Sequence, residues 1–287
     1  MNPYQRYISE IRNAILAAGR YPLGGLHPSV EINVPENARR VLLFSPHPDD
    51  ECITGGLPLR LHRELKFKVI NVAITLGSDK GRRRERYDEL EGACGYLGFD
   101  LIKDWAQGEK KITPAARRGD PVRWERLVCR IAAIISVQKP LVIFYPHQAD
   151  GHATHKGTSL LVLDALKRIG RNLSCYTVET EYWRPMNNPN LLVEIGETDV
   201  SDLIAALSFH RGEVQRNPYH LSLPAWMLDN VRRGSEMIDN IGGKSSGFMF
   251  ASIYRLRKWE DGHFIRASAA PRKVSVTDSL AEAFQTL

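Results

Sequence analysis

Val41-Leu42-Leu43-Phe44-Ser45-Pro46-His47-Pro48-Asp49-Asp50-Glu51 decides the reading of this chain: an apolar run stops abruptly at one imidazole and three consecutive carboxylates. Branched and aromatic apolar residues bounded by turn signals read as a strand buried on both faces. The acids then fall at its carboxyl end. Three adjacent acids repel one another, and beside a buried strand that repulsion has to be compensated by a cation or a bound proton. A divalent metal is the simplest compensation, and it needs more ligands than this stretch offers.

A second cluster of ligand-type residues follows another apolar run. Leu141-Val142-Ile143-Phe144-Tyr145 leads into Pro146-His147-Gln148-Ala149-Asp150-Gly151-His152-Ala153-Thr154-His155. In an open α/β sheet, ligands bind beyond the carboxyl ends of the strands where the strand order reverses. Two such loops on neighbouring strands would meet there. His47, Asp50 and one of the later histidines would then make a three-ligand site with a free position, which suits zinc. The bland reading, a capping aspartate and a satisfied histidine, leaves Asp49 and Glu51 unexplained.

Outward from these two loops the chain alternates between strand and helix patterns. Strands are expected at 40–45, 67–76, 101–105, 141–145, 173–183 and 191–196. Helices are expected at 51–64, 82–97 (closed by Gly98), 124–137 and 157–169. This alternation predicts an α/β, Rossmann-like fold: a mostly parallel sheet with right-handed crossovers and helices on both faces. A smaller C-terminal α+β portion follows, with helices at 200–209 and 226–241 and a strand at 248–259. From Ala270 a tail frays or folds onto a neighbouring subunit. Before the core, Tyr7, Ile8, Ile11, Ile15 and Leu16 recur at helical spacing and predict a helix over Tyr4–Ala18 packed on the core, followed by an irregular connection. The expected organisation is therefore an N-terminal helix and extension (1–39), a catalytic core (40–185) and a C-terminal portion (186–287) that completes the substrate pocket. Gly55 and Gly56 are poor helix formers and imply close approach of the backbone to a neighbouring strand or to substrate.

Composition excludes little: 43% apolar and 25% charged residues are ordinary for a soluble protein of 287 residues. The first residues lack the apolar run of a signal peptide and no stretch is long enough to span a bilayer, so a cytoplasmic protein without a membrane anchor is expected. Cys52, Cys94, Cys129 and Cys175 are scattered, with no C-x-x-C pair, and read as free thiols. The net charge of +6 and the run Lys80-Gly81-Arg82-Arg83-Arg84 fit a solvated helix start or a basic rim that attracts an anionic substrate. No nucleic-acid partner is expected, because there is no aromatic-interleaved basic stripe and no reader motif. Gly242 to Gly247 carries Ile238 where a phosphate loop requires glycine, and no G-x-G-x-x-G follows the first strand.

Taken together, His47-Pro48-Asp49-Asp50-Glu51 with Gly55-Gly56, Asp150-x-His152-x-x-His155, and Arg86-x-x-Glu89 followed by Ala93 and Leu97-Gly98 resemble the PIG-L/LmbE-like family of zinc-dependent N-deacetylases, over about residues 40 to 185. The resemblance implies a zinc-dependent amide hydrolase, an N-deacetylase of an N-acetylglucosamine-type amino sugar or sugar conjugate. His47, Asp50 and His155 would bind Zn2+ or another divalent metal such as Fe2+, metal-bound water would be the nucleophile and Asp49 the general base. His152 would stabilise the oxyanion or protonate the leaving amine, and Arg86 would face the substrate. His147 rivals the later histidines but lies outside the family spacing. Asp104 would bind sugar hydroxyls or cap a turn, while Glu51 and Asp150 would orient the groups around them. Two departures stand out. Thr154 occupies the place of the family's usual Asp, which would lower the pKa of His152 unless Asp150 compensates. Phe209-His210-Arg211-Gly212-Glu213-Val214-Gln215 matches the family's later histidine pattern only partly. An amidase acting on a larger conjugate or secondary metabolite is the alternative within the class, and a non-catalytic metal- or nucleic-acid-binding protein the alternative outside it. Homo-oligomerisation is left open.

Overall fold

The structure, a computed structural model, describes residues 2–28, 30–102, 111–238 and 246–284 of the 287. Its strands are β1 (Arg40–Ser45), β2 (Lys68–Ala73), β3 (Asp100–Leu101), β4 (Val142–Pro146), β5 (Cys175–Thr180), β6 (Leu191–Glu194), β7 (Ala251–Glu260), β8 (His263–Arg266) and β9 (Arg272–Val274). The helices up to the end of the core are α1 (Tyr4–Ala18), α2 (Asp50–Ile53), α3 (Gly56–Leu65), α4 (Arg83–Leu97), α5 (Pro114–Gly119), α6 (Pro121–Gln138) and α7 (Ala153–Ile169). Beyond it come α8 (Glu197–Leu207), α9 (Arg211–Arg216), α10 (Leu223–Met237) and α11 (Leu280–Ala283).

The strands form one sheet in the order β3-β2-β1-β4-β5-β7-β6-β9, with β8 paired to β7. From β3 to β5 all neighbours are parallel, whereas β7 runs antiparallel to β5 and β6. The chain moves outward from β1 through β2 and β3, then returns to the other side of β1 for β4 and β5. Strand order therefore reverses between β1 and β4, which is where a doubly wound sheet opens its crevice.

Alternation within the buried strands explains the helices on both faces. Val41 and Leu43 of β1, with Val142 and Phe144 of β4, join the apolar cluster that includes residues of α3, α4 and α8. Leu42 and Phe44, with Ile143 and Tyr145, join the cluster with α6 and α7. β4 thus buries every side chain and β1 all but Arg40, the condition for a near-continuous apolar run.

Several expectations are corrected. The helix over Tyr4–Ala18 is present, but it has no buried residue, and Tyr4, Tyr7, Ile8, Ile11, Ile15 and Leu16 are 42–72% exposed, so it does not pack on the core. The helix expected at 51–64 is split around Gly55. The close approach expected at Gly55 and Gly56 is to α8 and to strand β7: a Cβ on Gly55 would lie 2.4 Å from Leu203 Cδ2, and one on Gly56 2.6 Å from Ile195 Cδ1 and 2.9 Å from Ser252 Oγ. α7 begins four residues earlier than periodicity indicates. The described part of the tail after Ala270 folds back onto this chain: β9 pairs with β6, and the Phe284 ring packs edge-on against Tyr176 in the core.

Long-range polar clamps tie the later elements to the core. Fully buried Arg60 on α3 donates to the carbonyls of Glu194 and Ser275 at 3.0 Å each and to Glu64. Arg63 pairs with Asp199 and Asp202 of α8. A planar guanidinium with several fixed donors suits such buried clamping better than an ammonium.

Candidate active site

The loops after β1 and β4 meet beyond the reversal point. Asp50 turns its carboxylate back to accept from the His47 amide at 2.8 Å, which brings Asp50 Oδ2 to 3.2 Å from His47 Nδ1. His155, in the first turn of α7 and fully buried, places Nε2 3.2 Å from His47 Nδ1 and 3.5 Å from Asp50 Oδ2. Three lone-pair donors from two loops therefore form a triangle 3.2–3.5 Å on a side. Its other face belongs to His152: one ring nitrogen of each of His47, His152 and His155 lies within 4.8 Å of the others. His147 points away, its Nε2 donating to the Arg184 carbonyl at 2.8 Å.

Asp150 fixes the later loop. Fully buried, it accepts from the amides of His152 (2.7 Å) and Trp183 (3.2 Å), and its Oδ1 stands 3.5 Å from His155 Nδ1. Burial alone would raise the Asp150 carboxyl, but His155 and the amide donors hold it below the usual carboxylate range. Burial pulls His155 down, and Asp50 and Asp150 on either side outweigh that and raise it. His152 is shifted the other way, downward, chiefly by burial and then by His47 and His155. The direction is the one expected from Thr154; Asp150 opposes it without reversing it. His152 also caps α7, its Nδ1 accepting from the Thr154 amide at 3.3 Å, which leaves the neutral ring's proton on Nε2.

Asp49 sits at the turn between the triangle and the cleft. Its φ of 112° is in the left-handed region that few non-glycine residues adopt. Such strain persists where surroundings over-determine it and clusters at functional sites. Here the Asp49 amide donates to Glu51 Oε2 at 2.9 Å and its carboxylate accepts from the Tyr219 hydroxyl at 2.6 Å, with an Arg86 nitrogen at 3.8 Å. Burial, and then the like charge of Asp50, push the Asp49 carboxyl up to about 7.

Arg86 reaches in from α4 and donates to the Pro48 carbonyl at 2.9 Å. Gly77 makes room for it: a Cβ there would lie 2.1 Å from Arg86 Nη1. Glu51 turns inward, away from the cleft, where its Oε1 is 2.7 Å from His210 Nε2, both side chains being fully buried. Burial opposes a charged imidazole, but Glu51 dominates and raises His210. Cys52 is buried with Sγ 3.4 Å from Glu51 Oε1, and burial holds its thiol protonated, so it does not join the triangle.

Asp104 lies outside the described residues. Three groups carry no role in the sequence reading. Tyr219 and Glu213 line the cleft from the C-terminal elements, and the Tyr182 ring stacks edge-on against His155 with centroids 4.7 Å apart. No local pattern marks the tyrosines, since their relation to Asp49 and His155 exists only in three dimensions. His210 had a signal, the partly matched segment 209–215.

The cleft above the triangle encloses about 630 Å³, within the range of small-molecule sites. A smaller hollow of about 210 Å³, which holds Trp226, shares Ile53 and Trp183 with it.

The fold recurs in solved structures. A conserved protein of Thermus thermophilus is 19% identical, with a TM-score of 0.55 over 75% of this chain and 93% of its own. The N,N'-diacetylchitobiose deacetylase of Pyrococcus horikoshii is 16% identical, with a TM-score of 0.56 over 89% and 93%. The 4-carboxy-2-hydroxymuconate hydratase of Pseudomonas putida KT2440 is also 16% identical, with a TM-score of 0.53 over 77% and 95%. A deacetylase and a hydratase thus share one architecture, so at this identity the likeness carries the fold and not the reaction. No curated protein matches the chain. The model of the family described as PIG-L, GlcNAc-PI de-N-acetylase, matches residues 42–166, the segment that holds most of β1, all of β4 and both histidine loops. Over residues 42–166, then, the chain is similar to the PIG-L family.

Proposed function

We propose that this protein is a zinc-dependent amide hydrolase that removes an acetyl group from an N-acetylglucosamine-type amino sugar or sugar conjugate. The observation that carries the reading is the position of Asp49, a carboxylate with a raised pKa and two outside partners, directly beside a triangle of metal-type donors at the floor of a cleft. The donor set fits a dication: two imidazole nitrogens and one carboxylate oxygen converge, His155 Nδ1 is buried without a full hydrogen bond, and Asp150 stands behind it as an orienting carboxylate. Bound there, zinc, or another divalent ion such as Fe2+, would supply Lewis-acid polarisation and acidify water.

The chain's own groups account for the rest. Asp49 takes a proton from the attacking water and later delivers it to the nitrogen of the breaking C–N bond; a carboxyl poised near neutrality can do both. Tyr219 and Arg86 hold that carboxylate in place and favour its charged form. His152, neutral and carrying its proton on Nε2, donates to the oxygen on which negative charge develops. Water adds to the carbonyl carbon, the C–N bond breaks, and acetate and the free amine leave. The C-terminal portion, residues 186–287, completes the pocket by supplying Tyr219 and Glu213.

A larger acylated conjugate is the second reading, favoured by the adjoining hollow with Trp226, which gives room beyond a single sugar ring. Acetate release from a panel of N-acetyl amino sugars and acylated conjugates, with metal analysis of the purified protein and Asp49→Ala as control, tests both. Turnover that survives in Asp49→Ala would overturn the mechanism; cleavage of conjugates alone would select the second reading.

A further inference from the structure

The basic run at the start of α4 divides into two groups with different surroundings. Arg82 pairs with Glu85 and, at 2.8 Å, with Glu213, while Arg84 pairs with Asp88 at 3.1 Å. Lys80 and Arg83, which line the cleft, have no ion-pair or hydrogen-bond partner among the described residues, and neither has Lys111 on the cleft wall. The Arg83 Nε is buried and unsatisfied. Buried polar groups in folded proteins are normally satisfied, and Arg83, whose side chain also lines the cleft, departs from that rule.

Charge within the cleft is also unbalanced. Among the described residues, five cations (Lys80, Arg83, Arg86, Lys111 and Arg216) and three carboxylates line it. Two of these, Asp49 and Asp50, lie at the floor with the metal-type donors. The third, Glu213, is already surrounded by Arg82, Arg216 and, at 3.9 Å, Arg86. Among the described residues, no carboxylate lining the cleft is therefore left to neutralise Lys80, Arg83 and Lys111. Like charges lining a low-dielectric cleft repel one another and focus a positive potential into it. The amides at the start of α4, which has no side-chain cap, add to that potential.

We propose that Lys80, Arg83 and Lys111 form an anion subsite on the cleft wall, so that the preferred substrate carries a phosphate or carboxylate group on the same molecule as the acylated nitrogen. This rests on the deacetylase reading for the identity of the reaction but not for the subsite itself. A neutral sugar has nothing to offer these cations, whereas a phosphate or carboxylate can accept charge-assisted hydrogen bonds from each of them.

The test uses the zinc-loaded full chain with four substrates: N-acetylglucosamine, its 1-phosphate, its 6-phosphate, and N-acetylmuramic acid as the carboxylate arm. The expected result is a kcat/KM at least about tenfold higher for an anionic member than for the neutral sugar, a preference that shrinks as salt is raised. In Lys80→Ala/Arg83→Ala the KM for that member rises about tenfold or more and kcat changes less than twofold. Arg84→Ala, which alters a paired residue facing away from the cleft, keeps the preference. Equal turnover of neutral and anionic sugars by the wild type, or a double variant that loses kcat and not KM, overturns the subsite. Titration of inorganic pyrophosphate into the same proteins separates the two readings. Binding that is lost in the double variant sustains the subsite even if no sugar is deacetylated, and absence of binding to the wild type ends it.

Discussion

His155 Nε2 lies 3.2 Å from His47 Nδ1, although 108 residues separate them in sequence. Asp50 Oδ2 faces both, so the three atoms surround a point that a dication would occupy. His155 carries a raised pKa because Asp50 and Asp150 outweigh its burial. Metal binding must therefore displace a proton, and affinity for zinc should fall as pH drops through that raised value. At zinc concentrations of about 100 times Kd the folded state gains about 2.7 kcal/mol, several degrees in Tm for a chain of this size. His155→Ala should abolish the gain, and thermal unfolding with and without zinc measures both. A variant that keeps the full zinc response would show that the metal binds elsewhere.

Tyr219 is expected to set the acid limb of the pH profile. Its hydroxyl donates to Asp49 at 2.6 Å and so favours the charged carboxylate. Tyr219→Phe removes that donor, and a hydrogen bond to a charged group contributes about 1.5 kcal/mol, close to one pH unit. The acid limb of kcat/KM should therefore move upward by about one unit, with activity retained on the alkaline side of the limb. A bound dication lowers Asp49 in both proteins, which leaves the difference between them as the quantity to read. An unmoved limb would mean that another group carries the proton.

The parts of the site that lie on consecutive residues are legible in the sequence alone. Ala-Asp-Gly-His and His-Pro-Asp-Asp each follow an apolar run, and the doubly wound sheet brings such loops together. The limits of that reading are physical. Tyr219, Glu213 and His210 come from segments whose pairing with Asp49, Arg86 and Glu51 depends on how α8 and α9 fold back over the core. α1 shows the converse: its helical periodicity is correct, yet periodicity records an apolar face and not what covers it. α7 starts early because His152 supplies its own cap, a local hydrogen bond that spacing of apolar residues does not register.

Glu51 and His210 should behave as a buried ion pair. His210→Ala leaves the Glu51 carboxylate buried without its partner, which is expected to cost about 3–5 kcal/mol. The pH dependence has a definite sign. Because His210 is raised in the folded state, its contribution is complete below the ordinary imidazole value of about 6.5. It is lost as pH climbs through the raised folded value. Denaturant unfolding from pH 5 to pH 9 should show the wild type losing stability on the alkaline side relative to His210→Ala, so that the gap between them narrows. A gap that widens with pH would contradict the assignment of a charged pair.

Gly56 links the loop after β1 to the C-terminal portion, and its substitution should uncouple stability from chemistry. A Cβ at this position would lie 2.6 Å from Ile195 Cδ1, just past β6, and 2.9 Å from Ser252 Oγ of β7, so Gly56→Ala overpacks these contacts by about 1–3 kcal/mol. Tm should fall while kcat at low temperature stays within about twofold, since none of the triangle residues moves.

Gly77→Ala should do the opposite, damaging the site more than the fold. Gly77 has φ +84°, where a side chain costs about 1–2 kcal/mol. Its added methyl would also fall 2.1 Å from Arg86 Nη1. The guanidinium is the flexible partner, so it is Arg86 that gives way, losing its bond to the Pro48 carbonyl and its approach to Asp49. Without that neighbouring cation Asp49 rises further, and the acid limb of kcat/KM should shift upward together with the loss of rate. Arg86→Lys restores a charge but not the planar donor set, so in the wild-type background it should reproduce part of the rate loss with a smaller pH shift. If Gly77→Ala lowers Tm by the amount expected from backbone strain yet leaves the pH profile in place, Arg86 has no influence on the Asp49 carboxylate.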